Sequence, residues 1–148
     1  MDTLTIPRLG AERSANQYTF ASMLRLGSAL SFGSDWPVSE ADPLVGLAVA
    51  CSRQTDGRAP AQGWTPHERL SVDQALEAYI AGVAYQAFRH AGTLRPGSDA
   101  DLVVLSIDPY EHQKLRDLDK VRALSTWLAG ECVYEAKERT NGDVWASR

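Results

Sequence analysis

Apolar residues fall at helical spacing in three stretches of the chain and cluster into short continuous runs in several others. Ser14 and Asn16 offer N-cap oxygens ahead of Tyr18, Phe20, Ala21 and Leu24, and Gly27 suits the position just past a helix end, so this stretch predicts a short amphipathic helix. Asp42-Pro43 places a capping carboxylate before a proline in the first helical position, and Leu44, Val45, Leu47, Ala48 and Cys51 follow, predicting a helix over 43–52. Ser71 and Gln74 have the spacing of a capping box, after which Leu76, Tyr79, Ile80, Val83, Ala84 and Ala87 predict one long helix running to Arg89 and His90. Between the first two helices, Ala29-Leu30-Ser31-Phe32 is apolar but too short for a helix. It reads as a buried strand that ends at Gly33-Ser34-Asp35-Trp36-Pro37, where the proline lacks a backbone donor. The first eight residues show no clear period.

The remaining segments are punctuated by turn formers. Gly57, Pro60, Gly63 and Pro66 make residues 53–70 a surface loop, long enough for a lid or a crossover. Beyond Gly92 the period changes. Thr93-Leu94 and Leu102-Val103-Val104-Leu105 predict strands around a type II turn at Arg95-Pro96-Gly97-Ser98. Val121 to Leu128 and Cys132-Val133-Tyr134 predict a hairpin through Ala129-Gly130, set off by a polar segment from Asp108 to Asp119. Residues 137–148 form a polar tail that frays. There is no internal repeat and no low-complexity tract.

Composition narrows the classes. Of the 148 residues 44% are hydrophobic and 23% charged, the balance of a soluble globular domain rather than a disordered chain. A net charge of −4, with no basic block, argues against a nucleic-acid partner. No apolar run approaches the ~20 residues of a membrane span, and the start of the chain lacks the apolar core of a signal peptide. The expectation is a cytoplasmic protein with no membrane association. Cys51 and Cys132 are far apart and belong to no CxxC or Cys/His cluster, which argues against a disulfide framework or a zinc finger.

The segment from Phe32 to Val38 is the first candidate for chemistry. An aspartate at the C-terminal end of a buried strand faces the ligand side of an α/β barrel, where a carboxylate can hold a metal and move a proton. The competing reading is that Asp35 satisfies backbone donors in a turn before Pro37. His67, His90 and His112 have neither HxH nor HExxH spacing, so each reads as a surface or helix-end residue rather than a ligand. Ser34 and Cys51 lack the neighbours of an activated nucleophile. Gly92, Gly97 and Gly130 are turn formers, not a phosphate cradle.

An ordered series of motifs adds to this reading: Gly33-Ser34-Asp35-Trp36-Pro37-Val38, Asp42-Pro43-Leu44, Ser71-x-Asp73-Gln74-Ala75-Leu76-x-Ala78-Tyr79, Gly92-Thr93-Leu94-x-Pro96-Gly97-x-Asp99-Ala100-Asp101-Leu102-Val103-Val104-Leu105 and Ala129-Gly130-x-x-Val133-Tyr134. Over residues 8–135 the series resembles the C-terminal part of metal-dependent amidohydrolase superfamily proteins, in the branch of long amidohydrolases that includes N-acyl-amino-acid deacylase-like members. The resemblance implies a mixed α/β fold, the C-terminal fragment of a (β/α)8 TIM barrel with part of the accompanying β-sandwich. Residues 1–91 would carry the last barrel strand and its flanking helices, and residues 92–136 partial sandwich strands. It further implies that Asp35 is a metal ligand and the proton shuttle during attack of metal-bound hydroxide on an amide or cyclic amide. The Ala100-Asp101-Leu102 block would be structural, with neither Asp99 nor Asp101 catalytic. Trp36 and the loop from Arg53 to Leu70 are candidates for lining a substrate pocket.

Length limits what this chain can do alone. A barrel of this type takes ~250 residues, and the segment before Ala29 is far too short for seven earlier strands. The family's HxH pair, bridging lysine or glutamate and two further histidines have no counterparts here. A divalent metal, zinc by resemblance, therefore requires ligands from another segment or chain, since catalytic zinc takes three protein ligands. The expected partners are an N-terminal barrel half or a second copy of the chain, with a small-molecule substrate in the complete enzyme. The alternative is a noncatalytic association or ligand-binding module derived from an amidohydrolase.

Overall fold

A computed structural model describes residues 5–55, 57–111 and 115–137; His112 and the tail beyond 137 lie outside the described residues. Among the described residues, five helices, α1 (Thr5–Ser14), α2 (Phe20–Arg25), α3 (Pro43–Ser52), α4 (Val72–Tyr79) and α5 (Ala81–Gln86), precede a three-stranded sheet. Its strands β1 (Leu102–Leu105), β2 (Ala123–Leu128) and β3 (Glu131–Glu135) are antiparallel in the order β1-β2-β3. Short 3-10 helices lie at Pro66–Glu68, Pro109–Glu111 and Leu115–Lys120. The result is a mixed α/β chain. No helix among the described residues is long and apolar enough to cross a membrane.

Helix α3 forms where the capping signals place it. Asp42 Oδ1 accepts a hydrogen bond from the Leu44 N–H at 2.9 Å, and Pro43 occupies the first turn, where no donor is needed. The capping box of α4 is also formed: Ser71 Oγ accepts from the Gln74 N–H at 3.2 Å, and Gln74 Oε1 accepts from the Ser71 N–H at 3.0 Å. One face of α3, with Leu47, Ala48 and Cys51, is buried against Leu70 and Ala75 and against Leu118 and Val121. The last two come from the 3-10 helix Leu115–Lys120 and the residue following it, so the later half of the chain supplies part of the core of the earlier half. An ion pair at 2.7 Å from Arg58 to Asp117 ties the 53–70 loop to the same helix.

Several elements differ from the sequence expectation, each for a local reason. Residues 5–14 are helical on either side of a break at Gly10, in a region without apolar periodicity. Helix α2 starts at Phe20, because neither Ser14 nor Asn16 caps it and its first turn is satisfied by a distant carboxylate, described below. Ala29 to Phe32 form no strand, since no neighbouring strand is available to complete a ladder. Instead Leu30 and Phe32 turn inward while Ala29 and Ser31 are exposed, and the Phe32 N–H donates to the Ala78 carbonyl at 3.0 Å. The predicted helix 71–90 is broken at Ile80 (φ −113°, ψ −80°), and Phe88 enters the left-handed region (φ 55°) past the end of α5. The break lays Gly82 against the Leu30 carbonyl, so closely that a Cβ there would collide with it. Thr93 and Leu94 pair with nothing as a strand, and β2 begins only at Ala123 because Val121 is committed to the core.

The turn at Arg95 to Ser98 forms as expected, with Gly97 at φ 91° and the Ser98 N–H donating to the Arg95 carbonyl at 3.0 Å. So does the β2–β3 hairpin, whose turn residues Ala129 (φ 51°) and Gly130 (φ 83°) are both left-handed. Asp101 holds that turn in place: one carboxylate oxygen accepts from the Ala129 N–H at 2.8 Å, and the other meets Arg89 at 3.2 Å.

Gly82→Ala should lower stability by about 2 kcal/mol, because the new methyl meets a carbonyl fixed by its own backbone rather than a yielding side chain. Urea unfolding followed by circular dichroism reads the difference. An unchanged midpoint would mean that α5 does not depend on the 30–32 backbone.

Candidate functional site

Helix α3 is apolar on all sides, a pattern that demands cover on both faces. Its second face, Val45, Gly46, Val49, Ala50 and Arg53, borders an open cleft of about 710 Å³. The facing walls are aromatic. Trp64 meets Tyr18 edge-on with centroids 6.4 Å apart, Tyr18 meets Phe20 at 5.9 Å, Phe20 meets Phe32 at 5.0 Å and Phe32 meets Tyr79 at 5.4 Å. These tilted and edge-to-face contacts form one continuous chain of rings along the cleft. Tyr79 lies directly over Gly46, where any side chain would strike its hydroxyl. Ser34, Ser39, Glu40 and Gln54 add polar groups to the lining.

Arg53 holds these walls together. It terminates α3 in the left-handed region (φ 58°) and is 8% exposed. Its Nε donates to the Trp64 carbonyl at 3.1 Å, Nη1 to the Tyr18 carbonyl at 3.0 Å and Nη2 to Thr65 Oγ1 at 2.5 Å, while the guanidinium sits 4.8 Å from the Trp64 ring centroid. Burial lowers its pKa, partly offset by Glu68 and Tyr18. One cation therefore joins α3, the segment leading into α2 and the loop that carries Trp64.

Glu68 is the matching anion, 2% exposed in the 3-10 helix of the same loop. It accepts hydrogen bonds from the Ser22 N–H at 2.8 Å and from Ser22 Oγ, and Arg25 Nη2 approaches at 3.3 Å. The carboxylate thus serves the exposed donors of the first turn of α2, a task that Thr19 does not perform. Burial pushes its pKa up, but the two Ser22 hydrogen bonds and Arg25 outweigh it and hold the group below its ordinary value.

Asp35 lies outside this cleft lining, one residue beyond Ser34, on an exposed turn in the left-handed region (φ 51°). Its backbone carbonyl accepts from the Val38 N–H at 2.8 Å. Trp36 is 69% exposed and also lies outside the cleft lining, whereas Arg53, Gln54, Thr55 and Trp64 of the long loop border it. His67 is exposed, with Nε2 3.9 Å from Glu68, and His90 lies past the end of α5. Both cysteines are free, and burial pushes the Cys51 thiol up to about 11, so it is no nucleophile at neutral pH. Among the described residues no group of three or more His, Cys, Asp or Glu side chains is placed to hold a metal ion. Asp35 alone does not meet the donor set of a catalytic zinc site.

The sequence pattern of the Amidohydrolase family matches residues 1–134. The chain belongs to the amidohydrolase family. It is 35% identical over 130 residues to "Protein LONG AFTER FAR-RED 3" of Arabidopsis thaliana, an alignment covering 86% of this chain and 22% of that protein. It is 30% identical over 133 residues to "Putative amidohydrolase YtcJ" of Bacillus subtilis (88% of this chain, 25% of that protein). It is 31% identical over 116 residues to "N-substituted formamide deformylase" of Arthrobacter pascens (77% of this chain, 21% of that protein). The chain thus spans a quarter or less of the length of these relatives. No solved structure matches it.

Replacing Glu68 by Ala should cost about 2 kcal/mol at neutral pH, since it strands the Ser22 N–H at a helix start. The folded carboxylate titrates below its ordinary 4.5, so its contribution is full above that value and is lost as the pH falls through the lower, folded one. Urea midpoints of the two proteins should therefore converge below pH 4.5. Parallel curves would show that the carboxylate charge plays no part.

Proposed function

We propose that this chain is the C-terminal part of an amidohydrolase-family hydrolase that cleaves non-peptide C–N bonds, amides or cyclic amides. The observation that carries the reading is the family match over residues 1–134 combined with coverage of a quarter or less of the relatives' length. The name of the Arthrobacter relative, a deformylase of N-substituted formamides, fits the same class of bond. In this reading residues 1–91 carry the last barrel strand with its helices, and residues 92–136 carry part of a β-sandwich. Ala29 to Phe32 already alternate inward and outward as a strand with one covered face, and pair once neighbours are supplied.

Exposed apolar surface supports a partner that completes the fold. Phe88 is 97% exposed, Leu94 88% and Leu26 85%, and all five residues of β3 face solvent. We propose that the partner is the N-terminal barrel half, on the same or a separate polypeptide, and that it brings the remaining ligands of a divalent metal, zinc by family resemblance. When bound, the metal would activate the attacking water and polarise the carbonyl. Asp35 takes the proton from the attacking water and returns it to the leaving nitrogen, its exposed carboxylate being free to face an incoming substrate. The two free cysteines accord with a cytoplasmic setting.

In the complete assembly, Asp35→Asn should lower kcat on a simple amide by about a hundredfold or more with the melting temperature unchanged. An unchanged rate would remove Asp35 from the mechanism. Light scattering with elemental analysis on the purified chain separates the readings further. Stoichiometric metal in a defined assembly supports a completed site, whereas a stable metal-free monomer unresponsive to the missing half favours the noncatalytic module.

A further inference from the structure

We infer that the cleft beside α3 binds the aromatic ring of a small uncharged molecule. Its volume, about 710 Å³, falls in the range of small-molecule sites, ~300–1,000 Å³. Its wall is a chain of rings meeting edge to face, which leaves ring faces and edges free to receive another ring in the offset or T-shaped geometry that aromatic pairs prefer. The opposite wall is the second apolar face of α3, where Val45 and Val49 border the cleft beside the point at which Tyr79 closes on Gly46.

The walls are also fixed in advance. Arg53 is more than nine-tenths buried, and its three hydrogen bonds reach Tyr18, Trp64 and Thr65, so both the aromatic segment and the loop bearing Trp64 are pinned to the end of α3. A pinned wall loses little freedom when a ligand arrives. The polar lining carries Glu40 and Asp42 but no exposed cation, which disfavours an anionic ligand.

Phe32, Gly33 and Ser34 border the cleft, and Asp35 is the next residue. A ring seated against Phe32 leaves the rest of its molecule near the turn that bears Asp35. The further step, which rests on the hydrolase reading above, is that the substrate is an amide with an aryl or arylalkyl substituent held in this cleft.

The test titrates the full chain with benzamide, cyclohexanecarboxamide and formamide and follows 1H–15N spectra. Saturable shifts of the Trp64 indole N–H and of the Val49 and Arg53 amides are expected with benzamide, about tenfold weaker affinity with cyclohexanecarboxamide, and no saturation with formamide. Val49→Trp, at a partly exposed position on the wall, should fill the cleft and weaken benzamide binding about tenfold or more. Thr55→Trp does the same from the loop side and stands in if the helix variant fails to fold.

Absence of saturable shifts overturns the inference, as does equal affinity for the cyclohexane analogue. Shifts at these residues that depend on protein concentration alone overturn it too, because a second copy then fills the cleft. Binding of benzamide by an assembly that cleaves no amide would leave the cleft standing and remove the hydrolase reading. Cleavage of amides without preference for the aryl compound would do the reverse.

Discussion

The arrangement of the first half of the chain depends on two buried charges in one irregular loop. Glu68 takes the Ser22 N–H in the first turn of α2, and Arg53 donates to the carbonyls of Tyr18 and Trp64. Neither group would be tolerated at such low exposure without its partners, since an unpaired buried charge costs several kcal/mol. Together they fasten the segment 18–25, whose Ala21 is already in the core, to the end of α3 and to the loop, which lacks apolar periodicity of its own. A loop of this length would otherwise expose its backbone, and the two side chains convert part of it into a wall.

That wall explains why an apolar helix is stable with only one face in the core. Leu47, Ala48 and Cys51 meet Leu118 and Val121, while Val45 and Val49 border the cleft opposite the ring chain. Gly46 is part of the fit: the absence of a side chain lets Tyr79 descend onto the helix, and Tyr79 in turn supports Phe32 and the residues leading to Asp35. The candidate carboxylate and the cleft are thus joined through one packed line of residues, even though Asp35 is not itself part of the cleft lining.

What was legible in the sequence follows the range of each interaction. Helix α3, the Ser71 capping box and the Gly97 turn rest on contacts within four residues, and the Ala129-Gly130 hairpin on two strands adjacent in sequence; all form where the local chemistry puts them. The start of α2 was misplaced because its cap comes from Glu68, 46 residues from Ser22. The break at Ile80 was hidden because apolar spacing continues through it; only the contact of Gly82 with Leu30 shows why the helix turns. The cleft left a readable trace, the all-round apolarity of residues 43–52, which implied a second surface to be covered. The loop from Arg53 to Leu70 reads from sequence as a candidate pocket lining, but which of its residues form the wall depends on the hydrogen bonds of Arg53 to Trp64 and Tyr18, which local spacing does not specify.

Ala29 to Phe32 separate local preference from context most clearly. The run has the inward and outward alternation of a strand, yet a strand is defined by its neighbours, and among the described residues helices rather than strands lie beside this one. The three-stranded sheet has the converse difficulty, with its ladder complete and its faces exposed. Both fit the proposal that this chain is a portion of a larger fold. Local hydrogen bonding survives wherever the partners lie within the portion, and burial fails wherever they do not. The core around α3 is satisfied because Leu118 and Val121 return to it from the later half of the chain, so the same sequence that leaves its sheet uncovered still closes a core firm enough to hold the cleft in shape.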